Sequence, residues 1–343
     1  SHRDMILRDR VINDNLLSFT EMNTFGKKGI GNESTYNSGF ALSTYIANEY
    51  GSNVLSQLME ELSSPFNFSI NKSIKNVIGV SGDELYDDFK SFLEAKYNSL
   101  IDPIEVLLEK GNTLQNDGTT NIHPKWHPKD NSYLYLSNKA NDFFGQTDLY
   151  FHNLDTGTNK MLKSSVVSPP SWHSNGEVIY YSKRAKFPNK NGSRFYDIYS
   201  YNLKNKQEVR ITNDKRAFNP VYIEQDSAIA YLATYDGGQN VFLLHLKSME
   251  TEKLTDYQDR PMISFLTYES KKRCLYFDIT TNHFRDIYKY SIESKSISPI
   301  LIDQTFDERN ISFGNKGFTV HSQDKNGIFN LFLTNPMDST SGY

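Results

Sequence analysis

Two histidines with the spacing of zinc ligands occur in the segment NIHPKWHPKDN, at His123 and His127. On one turn of a helix, imidazoles four residues apart can bind a zinc ion. A proline follows each histidine, however, and the residue before a proline is biased toward extended conformations. No glutamate follows His123 to act as a general base. We therefore favour strand and turn positions over a zinc site, and the sequence predicts no metal ligand and no cofactor in this chain.

A second set of residues that could do chemistry consists of aspartates at the starts of similar segments, Asp148, Asp197 and Asp286, with Asn240 and Asn330 at the equivalent positions. Such carboxylates could form a ring of calcium ligands. Aspartate and asparagine at the start of a strand also accept hydrogen bonds from the backbone amides of adjacent turns. Because asparagine fills this second role equally well, we favour it over calcium binding.

A third set is the cationic segment KRAKFPNKNGSRFYD, residues 183–197. Its basic residues are Lys183, Arg184, Lys186, Lys190 and Arg194. The segment is a candidate contact for a protein partner, and the alternative is an ordinary solvated, charged loop.

Composition limits the class of partner. The chain has 343 residues, with 37 lysines and arginines against 41 aspartates and glutamates, for a net charge of −4. The two signs are interleaved, so the basic stripe that nucleic acids require is missing. The single cysteine, Cys274, allows no internal disulfide, and its alternating surroundings favour a buried thiol. No apolar run approaches the roughly 18 residues that span a bilayer, and the order typical of a signal peptide is lacking.

The first hundred residues show the periodicity of amphipathic helices. In STYNSGFALSTYIANEYG, Leu42, Ile46 and Tyr50 recur at four-residue steps and Gly51 follows as a helix stop. The segment NVLSQLMEELSS predicts a second helix, and the sequence SGDE at 81–84 predicts the capping box of a third. We place a helical lobe at residues 1–100 and a linker at 101–111.

From residue 112 to 343, alternation of apolar and polar residues replaces this pattern, and one unit recurs. DLYFHNLDTG, DIYSYNLKNK, NVFLLHLKSM, DIYKYSIESK and NLFLTNPMDS begin at 148, 197, 240, 286 and 330. Another strand precedes each, and a Pro-x-aromatic step begins the first three units, at Pro124, Pro170 and Pro220. Four short antiparallel strands in about 45 residues is the repeat of a β-propeller blade. The fold class is therefore mainly β, a propeller with an N-terminal helical lobe.

The segments WHPKDN at 126–131 and WHSNG at 172–176 resemble the Trp-Ser-Pro-Asp-Gly signature of TolB-like propeller repeats. This resemblance implies a protein-binding platform in the periplasm and, as is usual in that family, six blades. Five units are visible, and GNTLQNDG at 111–118 resembles the last strand of a blade that would close the ring. We favour a sixth blade beyond Tyr343 over a five-bladed ring, and expect the chain to be part of a longer protein.

The helical lobe resembles the region after the zinc site of gluzincin-type (peptidase MA) proteins, through DMILRDRVINDNLLSFTEM, YNSGFALSTYIANEYG and VIGVSGDELYDDFKSFLEAKY. The His-Glu-x-x-His motif of that family does not occur in these 343 residues, so zinc would belong to the parent protein. The resemblance implies that Tyr36, with Gly39, matches a Tyr-x-x-Gly helix whose tyrosine stabilises an oxyanion. The alternative is a tyrosine on the packed face of a helix.

Together these features predict a protein- or peptide-binding scaffold of the Gram-negative cell envelope, non-catalytic as it stands, with a protein partner. The alternative is a propeller that gates the substrate of a zinc metallopeptidase whose metal site precedes residue 1.

Overall fold

The computed structural model describes residues 2–334 except 24, 27–31, 107, 110, 315 and 316. The chain divides into two compact units, Ser1–Asn112 and Thr113–Tyr343. The first contains the helices α1 His2–Ile12, α2 Glu33–Tyr50, α3 Asn53–Leu62, α4 Ile70–Ile78 and α5 Gly82–Glu105. None of the helices in the described part of the chain is long and apolar enough to cross a membrane.

Local signals at the helix ends account for several of these boundaries. Gly51 ends α2 with a φ of 95°, a conformation that costs glycine little. The predicted capping box is confirmed, since the Ser81 hydroxyl accepts from the Glu84 amide at 3.2 Å and Glu84 accepts from the Ser81 amide at 2.8 Å. Helix α5 runs to Glu105 and so extends past residue 100, into the segment predicted to be a linker.

The core of the helical unit is built on one face of α5. Leu85, Phe89, Leu93 and Tyr97 follow one another at four-residue steps and are almost fully buried. They pack against apolar residues of the other four helices and the segment after α1, among them Leu7, Leu16, Leu42, Ile46, Leu58 and Ile74. Each large side chain buried in this way contributes about 1.5–3 kcal/mol.

The second unit consists of five antiparallel sheets, which we call blades 1 to 5. Blade 1 contains β1 Asn121–Trp126, β2 Ser132–Ser137, β3 Asp148–Asn153 and β4 Asn159–Lys163. Blade 2 contains β5 Ser171–Trp172, β6 Val178–Arg184, β7 Tyr196–Asn202 and β8 Glu208–Arg210. Blade 3 contains β9 Ala217–Ile223, β10 Ala228–Tyr235, β11 Gly238–His245 and β12 Thr251–Lys253. Blade 4 contains β13 Met262–Glu269, β14 Cys274–Thr281, β15 Phe284–Ser291 and β16 Ser296–Leu301, and blade 5 contains β17 Glu308–Phe313, β18 Thr319–Gln323 and β19 Asn330–Thr334.

Strands follow chain order across every blade, so each sheet is a simple meander. Four blades have four strands, and the described part of blade 5 has three. The turn between β10 and β11 is a two-residue hairpin at Asp236 and Gly237, which have φ of 49° and 75°. The predicted fold class, a mainly β propeller with an N-terminal helical region, is confirmed.

Bulges interrupt the innermost strands and explain the repeated Pro-x-aromatic step. The pairing of β1 with β2 shifts between Ile122 and Lys125, around His123, whose φ is 56°. Asn219 in β9 and Asn310 in β17 lie at equivalent shifts with φ of 57° and 58°. Proline follows the bulged residue in blades 1 and 3, where an amide donor is not needed for the ladder.

Apolar residues fill the space between successive blades. Separate clusters join blades 1 and 2, blades 2 and 3, blades 3 and 4, and blades 4 and 5. Tyr181, Tyr231 and Phe277 are among the largest fully buried side chains. Cys274 lies in the cluster between blades 4 and 5, and burial raises the pKa of its thiol, as expected for a core cysteine.

Residues 111–118 form no strand with the described part of the chain, and their role as the outer strand of a closing blade stays a prediction. Gln115 instead hydrogen-bonds to blade 1. Its side-chain Nε2 donates to the hydroxyl of Tyr133 at 3.0 Å. Its side-chain Oε1 accepts from the hydroxyl of Tyr135 at 3.0 Å and from the side-chain Nδ2 of Asn159 at 2.9 Å. The segment therefore pairs through one side chain and not through a backbone ladder.

Candidate functional site

Aspartates and asparagines at the starts of the third strands of blades 1 to 4 tie each of these blades to the link that follows it. Asp148 accepts from the Ser165 amide at 2.8 Å, and Asn240 accepts from the Tyr257 amide at 2.9 Å. Asp197 accepts from the amides of Asp214 and Lys215 at 2.9 and 3.1 Å. This is the backbone-binding role favoured from the sequence.

The imidazole of His127 hydrogen-bonds within the turn between β1 and β2 and to the next blade. Its Nε2 atom lies 2.9 Å from the carbonyl oxygen of Gly176, and its Nδ1 accepts from the amides of Lys129 and Asp130 at 3.2 and 2.9 Å. A Cβ on Gly176 would lie 2.5 Å from the His127 ring, so glycine is required there. Within the described residues, no group of three His, Cys, Asp or Glu side chains is arranged to hold a metal ion.

A cleft of about 750 Å³ lies between blades 2 and 3. It opens at the end of the blades that carries the β6–β7 and β10–β11 connections, which we call the loop face. Tyr231 and Phe242 form its floor, with ring centroids 5.7 Å apart and planes inclined by 20°. Phe195, from the cationic segment, and Tyr235, at the end of β10, form its walls. Tyr235 is 77% exposed, so the cleft offers an accessible aromatic surface.

Charges at the rim of the cleft are unequally compensated. Two of its acidic residues pair with arginines outside it, Asp214 with Arg210 at 3.2 Å and Asp236 with Arg260 at 3.6 Å. The guanidinium of Arg216 lies 4.3 Å from the centroid of Phe195. Among the described residues, neither Lys215 nor Arg216 has a carboxylate partner.

These contacts define what the cleft can recognise. The aromatic walls offer a surface for a flat or aliphatic side chain, and an arginine stacked on an aromatic wall keeps its edge free for a carboxylate. The arrangement suits an acidic segment that carries an apolar side chain.

The predicted contact residue Lys183 is engaged inside the propeller. Its Nζ donates to both carboxylate oxygens of Glu208 at 2.7 Å and lies 4.7 Å from the centroid of Tyr199. Burial raises the pKa of Glu208, but the hydrogen bonds from Lys183 and Tyr181 outweigh it and the net pKa is lowered. Lys183 is thus fixed in an ion pair of the sheet.

The other four basic residues of the segment lie on its outer surface. Arg184 lies 5.1 Å from the ring of Tyr196, and Lys186 lies 5.3 Å from the ring of Phe187. Lys190 and Arg194 are exposed and have no ion pair with any described residue. The structure brings the segment to the cleft through Phe195, which is the neighbour of Arg194. The role of these residues as a protein contact stays a prediction.

Tyr36 lies on α2 in the helical unit and is 60% exposed. Its ring centroid is 5.9 Å from that of Phe25, in a tilted arrangement. The alternative interpretation required the ring to pack into the helical core, and at this exposure it does not. Its assignment to an oxyanion site also stays a prediction.

Sequence reasoning missed the cleft because its walls come from separate segments. YDGGQN, residues 235–240, contains the hairpin turn between β10 and β11, and nothing in that pattern assigns the side chain of Tyr235 to a cleft. A signal was available in Phe195, the aromatic residue that follows the last cation of the cationic segment.

No protein-family model matches the chain, and no curated protein matches its sequence. Solved structures match its fold. TolB from Acinetobacter baumannii is 17% identical with a TM-score of 0.47, over 63% of this chain and 55% of that one. A putative TolB from Agrobacterium tumefaciens is 14% identical with a TM-score of 0.51, over 62% of this chain and 76% of that one. Hydrazine synthase from Kuenenia stuttgartiensis is 11% identical with a TM-score of 0.51, over 65% of this chain and 38% of that one.

Similarity at these identities concerns the fold alone. It agrees with the five blades described above, and the second unit has a TolB-like propeller fold. Because this fold also occurs in an enzyme such as hydrazine synthase, function has to be inferred from the site.

Proposed function

We propose that the chain is a protein- or peptide-binding propeller and that the cleft between blades 2 and 3 is its contact site. The observation that carries the proposal is the pairing of aromatic walls with two cations, Lys215 and Arg216, that lack a carboxylate partner among the described residues. Tyrosine, phenylalanine and arginine in a recessed site are the residue types that dominate binding energy in protein interfaces.

The ligand class follows from the same residues. An extended peptide with an aromatic or long aliphatic side chain would pack on the exposed ring of Tyr235 and the half-buried rings of Phe195 and Phe242. An acidic residue beside it would pair with Arg216, whose guanidinium is already oriented by Phe195. The outer basic residues of the cationic segment would attract the same acidic ligand and raise the association rate more than the final affinity.

The test is a selection of peptides on the purified chain, followed by affinity measurements on variants. Phe195→Ala and Arg216→Glu should each weaken the selected peptides about tenfold or more, the usual effect of removing a central aromatic or arginine contact. Phe187→Ala and Lys247→Glu are matched controls, because both residues are exposed and neither lines the cleft.

The two sets of variants separate the outcomes. Loss of binding in the cleft variants only, with acidic and aromatic residues enriched in the peptides, supports the proposal. Equal affinities for cleft and control variants would show that the peptides bind elsewhere and would refute it.

The proposed location of the protein and the class of its partner rest on the resemblance to TolB-like repeats. TolB-like repeats suggest the periplasmic side of a Gram-negative envelope and an envelope or outer-membrane protein as partner. The gluzincin resemblance of the helical unit carries the alternative, a propeller that gates the substrate of a zinc metallopeptidase, in which Tyr36 would stabilise the oxyanion. Replacing Tyr36 by phenylalanine in the longer protein, and measuring peptide cleavage, tests that alternative.

A further inference from the structure

Lysines that pack on aromatic rings inside this propeller have carboxylate partners. Lys183 lies over Tyr199 and pairs with Glu208 at 2.7 Å. Lys163 lies over Tyr201 with Glu208 at 3.8 Å, and Lys139 lies over Tyr150 with Asp117 at 3.9 Å. Each ammonium group is thus compensated, as buried charges generally are.

Lys125 departs from this rule. It lies on β1, the innermost strand of blade 1, and its Nζ is 5.6 Å from the centroid of Phe265 on β13, the innermost strand of blade 4. The side chain therefore points toward the propeller axis. In the part of the chain that the structure describes, its ammonium group makes no hydrogen bond and no ion pair.

His123 is the second polar residue at this place. It lies two residues before Lys125, at the bulge of β1, and is also half-buried. Its ring nitrogens make no hydrogen bond to any described residue. Burial first, and then the charge of Lys125, lowers the pKa of His123 to about 4, so the ring is neutral at pH 7 and can donate one N–H.

We propose that His123 and Lys125 form a binding site for an oxyanion, a carboxylate or phosphate group, between the innermost strands of blades 1 and 4. A half-buried ammonium group beside an aromatic ring gains from an anionic partner, and such charge-assisted hydrogen bonds are roughly twice as strong as neutral ones. The neutral imidazole supplies a second donor, and Phe265 excludes water from one side of the ammonium group.

Titration of the purified chain with inorganic phosphate at pH 7, followed through the ring Cε1–H signal of His123 by NMR, tests the site directly. A saturable shift that sodium chloride at equal ionic strength does not reproduce supports it. The same shift with chloride, or no shift, would refute it. Acetate and a short peptide with a free or an amidated C-terminus distinguish a peptide carboxylate from a phosphate source.

Variants test the role of the charge. Lys125→Met should weaken phosphate binding about tenfold, the equivalent of losing one charge-assisted hydrogen bond, whereas Lys125→Arg should retain it. Lys129→Met is the matched control, an exposed lysine without an ion pair among the described residues. Unchanged binding by Lys125→Met would overturn the assignment. If Lys125→Met does not fold, the titration of the natural chain still decides.

Discussion

Two fully buried aspartates of the propeller, Asp197 and Asp278, differ in how many hydrogen-bond donors surround their carboxylates. In blade 2, Asp197 accepts from the Arg210 guanidinium and the Thr212 hydroxyl at 2.6 Å each, in addition to two backbone amides. In blade 4, Asp278 accepts from a single amide, that of Asn310, at 3.1 Å. Burial raises the pKa of Asp278 to about 7, and Arg285 and Arg309 only partly oppose this effect.

Two glutamates, Glu208 in blade 2 and Glu308 in blade 5, show the same contrast between a paired and an unpaired carboxylate. Glu208 in blade 2 is paired with Lys183, and its pKa is lowered despite burial. Glu308, at the start of β17, has a buried Oε2 atom without a hydrogen-bond partner in the described residues. Burial, and then the nearby carboxylates of Asp286, Asp303 and Asp307, raises its pKa to about 7.

One architecture thus holds compensated and uncompensated buried acidic groups in different blades. In blade 2 the acidic groups stabilise the sheet as ions. In blades 4 and 5 the acidic groups are held partly as neutral acids at neutral pH. The difference predicts changes of opposite sign in the free energy of unfolding when the acidic groups of blade 2 and those of blades 4 and 5 lose their charge.

The largest effect is expected when the compensated aspartate is removed. Asp197→Ala leaves four donors without this acceptor, among them the Arg210 guanidinium, so we expect a loss of about 3–5 kcal/mol in the free energy of unfolding. Urea denaturation measures it. Asp142→Ala is the control, since Asp142 is exposed on the loop face of blade 1 and should change the free energy by less than about 0.5 kcal/mol. A small loss for Asp197→Ala would show that the pairing is not needed for stability.

The free energy of unfolding should also depend on pH through Asp278. Its pKa is higher in the folded protein than the ordinary value of 3.8, so between about pH 4 and 7 the folded state retains a proton that the unfolded chain releases. This group therefore stabilises the fold at low pH, and its contribution falls as the pH rises to about 7, by up to about 4 kcal/mol.

Substitution separates this contribution from that of other groups. Asp278→Asn keeps an acceptor for the Asn310 amide and cannot ionise. The difference in unfolding free energy between the variant and the natural chain should grow in favour of the variant as the pH rises from 4 to 7. A difference that is constant with pH would contradict the raised pKa.

A smaller effect is expected at the paired lysine of blade 2. Lys183→Met removes one partner of a partly buried ion pair and leaves Glu208 with Lys163 at 3.8 Å, so we expect a loss of about 1–3 kcal/mol. The loss should be present at pH 7 and shrink as the pH falls through the lowered pKa of Glu208, because protonation removes the ion pair in both proteins. A loss that is the same at pH 3 would point to packing on Tyr199 in place of charge.

The sequence predicted the features that depend on local pattern. Alternation and the 45-residue repeat predicted the blades, and Ser81 with Glu84 predicted the start of α5. The strand-start role of Asp197 was also visible, because its backbone partners follow in the same repeat. The environment of Asp278 was not visible, because Arg285, Arg309 and Asn310 come from other strands and their distances depend on packing between blades. The cleft and the pair His123 and Lys125 were missed for the same reason.

The smallest effect, and one of opposite sign, is expected at Lys125. Its ammonium group lacks a carboxylate partner among the described residues, and burial lowers its pKa, so the charge is held at a cost in the free protein. Lys125→Met keeps a long apolar side chain over Phe265 and should raise the unfolding free energy by up to about 1 kcal/mol in anion-free buffer. Thermal denaturation in such a buffer, compared with Lys129→Met, measures the difference. Destabilisation by Lys125→Met would mean that the ammonium group already has a stabilising role in the free chain, and the contrast between the two lysines would then disappear.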